Sequence, residues 1–156
     1  SREEMEDLFD IRAALEGYAI RMICDCITDE SIDALENLIS KAENALKRKK
    51  LDEIFKYNTL FHDILHGVIS HKSRFYNLIA DTRKYVLRYR KDSLHYLTGA
   101  RRTIDGHKKI LLAIGLRDPD LCERVMREHV QEAKEEALHK ISDTKDASLQ
   151  RTGNRI

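Results

Sequence analysis

Three of the seven histidines are placed where an imidazole can do chemistry. His62 follows Asn58 by one helical turn in "YNTLFHDILHG" (Tyr57 to Gly67); His107 opens "HKKILLAIG" and His129 closes "CERVMREH". On a wheel of about 100° per residue, each sits at the centre of an otherwise apolar stripe. Around Asn58 and His62 the stripe is Leu51, Ile54, Phe55, Phe61, Leu65 and Ile69. Around His107 it is Ile104, Ile110, Leu111 and Ile114; around His129 it is Cys122, Val125, Met126, Ala133 and Ala137. His66 falls at the edge of its stripe, and His71, His95 and His139 fit the pattern less well.

A single inward histidine is ordinarily a core residue with a satisfied hydrogen bond. Three of them on three helices, with an amide, would each cost about 1–3 kcal/mol if left unpaired. One divalent metal would satisfy them together, because neutral imidazole is the commonest metal ligand and i,i+4 spacing lets one helix supply two donors. The candidate ligands are therefore Asn58, His62, His107 and His129. Three imidazoles and an oxygen suit Zn or Ni first, with Fe, Co or Mn also compatible.

A second anomaly lies near the N-terminus. Arg12 and Glu16 interrupt the dry side made by Met5, Leu8, Phe9, Leu15, Ala19 and Ile23. Spaced i,i+4, they can form an internal ion pair. Equally, the guanidinium can receive a carboxylate ligand while Glu16 holds it in place. Thr82, Tyr89 and Ser93 share the inner face of a later helix, with Arg90 at its edge. Arg12, Glu16, Tyr89, Arg90 and Ser93 make up the candidate set for binding an organic acid.

These side chains need helices to position them. The chain has 156 residues, enough for one domain with a core, and its single proline and six glycines favour long helices over strands. Six segments are predicted. The first runs from about Arg2 to Ile27. The second is capped by Thr28 and ends at the basic run Lys47 to Lys50, read as a solvated helix end. The third spans about Leu51 to Ser70, and the fourth about Ser73 to Leu97 with a stop near Gly99. The fifth covers about Thr103 to Leu116. The sixth is capped by Asp118, has Pro119 at its first position, and runs to about Ile141. The expected fold is an all-α antiparallel bundle of about six helices around a central ligand or metal cavity. It occupies residues 1–141, and the tail 142–156 lacks an apolar stripe and is expected to fray.

Composition excludes several classes. Hydrophobic residues are 42% and charged residues 35%, which describes a charge-laced globular chain. A net charge of +1 provides no global field for nucleic acid. No apolar run reaches membrane-spanning length. Three cysteines without framework spacing, Cys24, Cys26 and Cys122, suit a reducing cytoplasm. The opening "SREEMEDLFDIR" is already in helical pattern and has no initiator Met, as expected of a piece cut from a longer protein.

Three stretches, "LFDIRAALEGYAIRMI", "YNTLFHDILHGVIS" and "GHKKILLAIGLRDPDLCERVMREH", resemble the FCD domain, the C-terminal effector-binding domain of GntR-family bacterial transcription regulators. The resemblance implies a helical bundle with a central divalent metal held by Asn58, His62, His107 and His129. It further implies a small organic-acid effector, a homodimer, and DNA binding only through an N-terminal winged-helix domain absent from this chain. Four positions depart from the family pattern. Asn58 stands where Asp is common and Gly106 where Glu is frequent. Arg117 stands in place of a frequent Gly, and Cys122 in place of a frequent Ala. The function expected is ligand sensing without catalysis. The alternatives are a helical-bundle metalloenzyme and a metal-free dimerisation module. The enzyme reading lacks a carboxylate base beside the histidines: the one Glu-x-x-His spacing weighed for a di-iron site, Glu136 to His139, points away from the stripe.

Overall fold

The computed structural model describes the backbone of residues 1–93 and 96–152 and the side chains of residues 1–87 and 96–139. Six helices follow one another: α1 (Arg2–Cys26), α2 (Asp29–Lys47), α3 (Leu51–Gly67), α4 (Ser73–Ser93), α5 (Leu97–Gly115) and α6 (Pro119–Thr152). Among the described residues there is no strand, and no helix is long and apolar enough to cross a membrane.

Side-chain caps set three of the six helix starts. Ser1 and Glu4 form a reciprocal capping box on α1. Thr28 accepts the Ser31 amide at the start of α2. Asp118 Oδ1 takes the Leu121 amide at 3.0 Å, which fixes the start of α6 around Pro119. Three boundaries differ from expectation, the first being α4, which ends at Ser93 and not near Leu97. The fifth helix begins at Leu97, so Gly99 lies buried in its first turn beside Ala100 instead of ending the helix before it. A glycine signals a stop or a close approach equally well, and here packing decides. The sixth helix continues past Ile141 to Thr152, because no glycine or proline interrupts that run of sequence.

The apolar stripes decide the packing. α1 lies along α6 and also against α4; α2 pairs with α3 and α5 with α6 across short turns; α2 also meets α5. Met5, Phe9, Ile20, Phe61, Leu65 and Met126 are buried at the centre. Each such side chain contributes about 1.5–3 kcal/mol on burial. Cys24 and Cys122 are buried free thiols. Burial first, then Cys24, pushes the Cys122 thiol up to about 12, so it behaves as an inert core residue.

The α5–α6 turn accounts for one departure from the family pattern. Arg117 has φ 52°, a left-handed conformation that favours glycine. Its side chain offsets the strain: Nη1 donates to the Cys24 carbonyl at 2.8 Å and the Ile27 carbonyl at 3.2 Å, tying the turn to the end of α1. Arg117→Ala keeps the strain and loses the tie, whereas Arg117→Gly loses the tie but relieves the strain. In urea unfolding, Arg117→Ala is therefore expected to be less stable than Arg117→Gly by about 1 kcal/mol. Equal midpoints would show that the left-handed turn stores no strain.

Candidate metal centre

α3 carries three polar residues on successive turns, Asn58, His62 and His66, each at most 4% exposed. α5 adds His107 and α6 adds His129, both buried. The five side chains come from three helices whose flanks are apolar. His62 Nε2 faces His107 Nε2 at 3.3 Å. One ring nitrogen each from His62, His107 and His129 lies within 4.8 Å of the others. Phe61 stacks flat on His107, with ring centroids 3.9 Å apart and planes 6° from parallel, and so fixes that imidazole's plane.

The donor set fits a divalent metal on two observations. Asn58 Oδ1 is buried and has no hydrogen-bond partner among the described residues. Burial pushes His62 down to about 3, against the opposing pull of Glu16, so the ring is neutral near pH 7 and can offer a lone pair.

Beside this trio lies a charged group. Arg12 Nε donates to Glu16 Oε1 at 2.5 Å, with both side chains almost fully buried. Glu16 Oε2 is 3.2 Å from His62 Nδ1 and 3.3 Å from His66 Nε2. These last contacts are close but poorly aligned for hydrogen bonds, since both oxygen and nitrogens lack a well-formed one. Burial alone would raise the Glu16 carboxyl; Arg12, then His66 and His62, outweigh it and hold the group well below the usual range. It is an ionised carboxylate.

Two narrow clefts meet at Asn58. One, about 210 Å³ with its open mouth included, is lined by Arg12, Asn58, His62, Arg83, Val86 and Leu87. The other is of similar size and reaches Asn58 and His107 from the side of Ile39, Ile54 and Thr103. A third, lined by Arg102, Thr103, Glu132 and Glu136, reaches His129.

The structure thus gathers Asn58, His62, His107, His129, Arg12 and Glu16 around one centre. The side chains of Tyr89, Arg90 and Ser93 lie outside the described residues. Two residues were missed. His66, placed by the wheel at the edge of its stripe, is fully buried against Glu16. Arg83 of α4 lines the first cleft, and it donates to Asp63 at 2.8 Å and to the Thr59 carbonyl at 3.3 Å. Its signal was available: Ile79, Arg83 and Val86 follow helical spacing on one buried face.

Gly106 accounts for a second departure. A Cβ at this position would fall inside the van der Waals shell of His129 Nδ1. The missing side chain is what lets His129 lie against α5. Gly106→Ala is expected to displace the His129 ring and to reduce any metal-dependent rise in melting temperature while α-helical circular dichroism is retained. An unchanged metal response would show that the His129 position does not depend on this contact.

Comparison with known proteins follows the same outline. Residues 7–132 match the FCD domain family. The HTH-type transcriptional repressor RspR of Escherichia coli K12 is 29% identical over 125 residues, which are 80% of this chain and 54% of that protein. Proteins described as uncharacterized HTH-type transcriptional regulator YdfH, from Shigella flexneri and Escherichia coli O6:H1, match to the same extent. The chain spans about half the length of these relatives. Over most of its length, then, this chain belongs to the FCD domain family.

Proposed function

We propose that this domain is the sensor of a transcription regulator, binding a divalent metal through Asn58, His62, His107 and His129 and a small organic acid in the cleft beside them. The observation that carries the reading is the convergence of three buried imidazoles on one point, with the orphaned oxygen of Asn58 at their side. Bound there, a divalent ion would supply positive charge and open coordination positions for a carboxylate. Zn or Ni suits the donor set first, and Fe, Co or Mn also fit. Asn58 is a neutral donor, so the ligand set cancels none of the ion's charge and favours an anionic guest.

The chain's own residues supply the rest of the acid site. Arg12 Nη1 is buried with no hydrogen-bond partner among the described residues, and Arg12 lines the cleft with Arg83. Two guanidiniums at one cleft suit a carboxylate or a hydroxy acid. Glu16 is already engaged by Arg12, so it is poorly placed to serve as a general base, which favours binding over turnover. The relatives' HTH-type descriptions support an attached winged-helix domain whose DNA affinity the sensor controls. Differential affinity of the acid for two arrangements of the bundle would provide that control.

A homodimer would place two such DNA-binding domains on paired half-sites. Ile11 and Tyr18 on α1 and Leu78 and Tyr85 on α4 are about half exposed, and those two helices pack side by side. We assign the dimer seam to this face. Wild-type protein is expected to run as a dimer by light scattering, and Ile11→Glu with Leu78→Glu as a folded monomer. A variant that stays dimeric moves the seam elsewhere.

Metal and acid are tested together. Protein stripped with a chelator should gain stability on adding Zn or Ni, by about 2.7 kcal/mol at 100 times Kd. That corresponds to a rise in Tm of roughly 5–10 °C for a chain of this size. His107→Ala and His129→Ala should abolish the rise. Arg12→Lys and Arg83→Ala should each weaken titration by small carboxylic acids about tenfold with metal retained. A wild type whose Tm moves with none of these metals ends the reading.

A further inference from the structure

Glu16 stands between two groups that the proposed function uses separately. One of its oxygens holds Arg12, the guanidinium of the acid cleft; the other faces His62 and His66. We propose that Glu16 is a positioning residue that fixes His62 as the Nδ1–H tautomer, leaving Nε2 bare and turned toward His107 and His129. This rests on the metal-centre reading above.

The chemistry is restrictive. A carboxylate paired with Arg12 repels a lone pair that faces it, so the His62 nitrogen 3.2 Å away is favoured to carry the proton even though the contact is not aligned as a hydrogen bond. A neutral imidazole has one N–H, so the opposite nitrogen must then be bare. In His62 the two directions are distinct: Nδ1 lies 3.2 Å from Glu16, and Nε2 lies 3.3 Å from His107 Nε2. With a metal bound, this would form a carboxylate–imidazole–metal chain, in which the outer carboxylate would orient the ring and raise its basicity as a ligand. His66 Nε2 lies 3.3 Å from the same carboxylate oxygen.

The same atoms also suggest a rival. Glu16, His62 and His66 are close enough together to hold a cation of their own. Two facts argue against it. The Arg12 guanidinium already supplies the positive charge, at 2.5 Å from the carboxylate. And a neutral His62 cannot offer a lone pair on both nitrogens, so a cation at Nδ1 would take the ring away from His107 and His129.

Tautomers are read directly by long-range ¹H–¹⁵N correlation on metal-free, ¹⁵N-histidine-labelled protein near neutral pH, with His62 assigned from a His62→Gln spectrum. Wild type is expected to show His62 as Nδ1–H. Glu16→Gln leaves Arg12 buried and uncompensated and can fail to fold. The double variant Arg12→Met with Glu16→Leu removes both charges at once. In it, His62 should drift to the Nε2–H form or a mixture, and zinc affinity should fall about 10–100-fold while the helical signal is kept. The inference is overturned by a wild-type His62 in the Nε2–H form, or by a folded double variant with unchanged tautomer and zinc affinity. Wild-type protein that takes no zinc overturns the metal centre instead; the metal-free tautomer measurement then decides the role of Glu16 by itself, Nδ1–H upholding it.

Discussion

An imidazole, an amide and an ion pair cannot sit in the dry middle of a helical bundle unless something there satisfies them. That constraint organises this domain. Arg12, Glu16, Asn58, His62, His66, His107 and His129 are all buried, and they come from four of the six helices. Dispersed through the core, each would be a separate liability. Gathered, they share partners: guanidinium to carboxylate, carboxylate to two imidazoles, and imidazole to imidazole. Among the described residues the Asn58 oxygen, Arg12 Nη1, Glu16 Oε2 and ring nitrogens of His62 and His66 are left without a well-formed hydrogen bond.

Holding such a centre together requires that backbones be fixed to within a fraction of an ångström. Two unusual residues bear on how α5 and α6 pack, one within α5 and one in the turn that joins them. Gly106 removes a side chain so that His129 can approach α5. Arg117 takes up a left-handed turn and anchors it to the last carbonyls of α1. Both looked like departures from the family pattern when read as isolated letters. In three dimensions each has a packing reason: Gly106 makes room for His129, and Arg117 ties the α5–α6 turn to the end of α1.

Much of this was legible beforehand, and what was not has a physical reason. Helical periodicity gives the azimuth of a side chain about its own axis. That was enough to turn Asn58, His62, His107 and His129 inward, and to put Arg12 and Glu16 in the dry face of α1. Periodicity says nothing of height along the axis or of which helix lies opposite. The meeting of three imidazoles at one level therefore needed the packed structure. His66 was misjudged because the edge of a stripe is buried or exposed according to the neighbour that covers it, and here α1 brings Glu16 to it. Arg83 was not singled out, although Ile79 and Val86 flank it on the buried face. The start of α5 failed because Gly99 is a stop signal only where nothing packs on it.

Asn58 has one further consequence. It lines two clefts that reach the centre from different sides, one past Arg12 and Arg83, the other past Ile39, Ile54 and Thr103. A single amide is thus a wall common to both clefts. On the proposed reading, an ion at the histidines and an acid beside Arg12 would both touch that side chain, so each guest would be felt where the other sits.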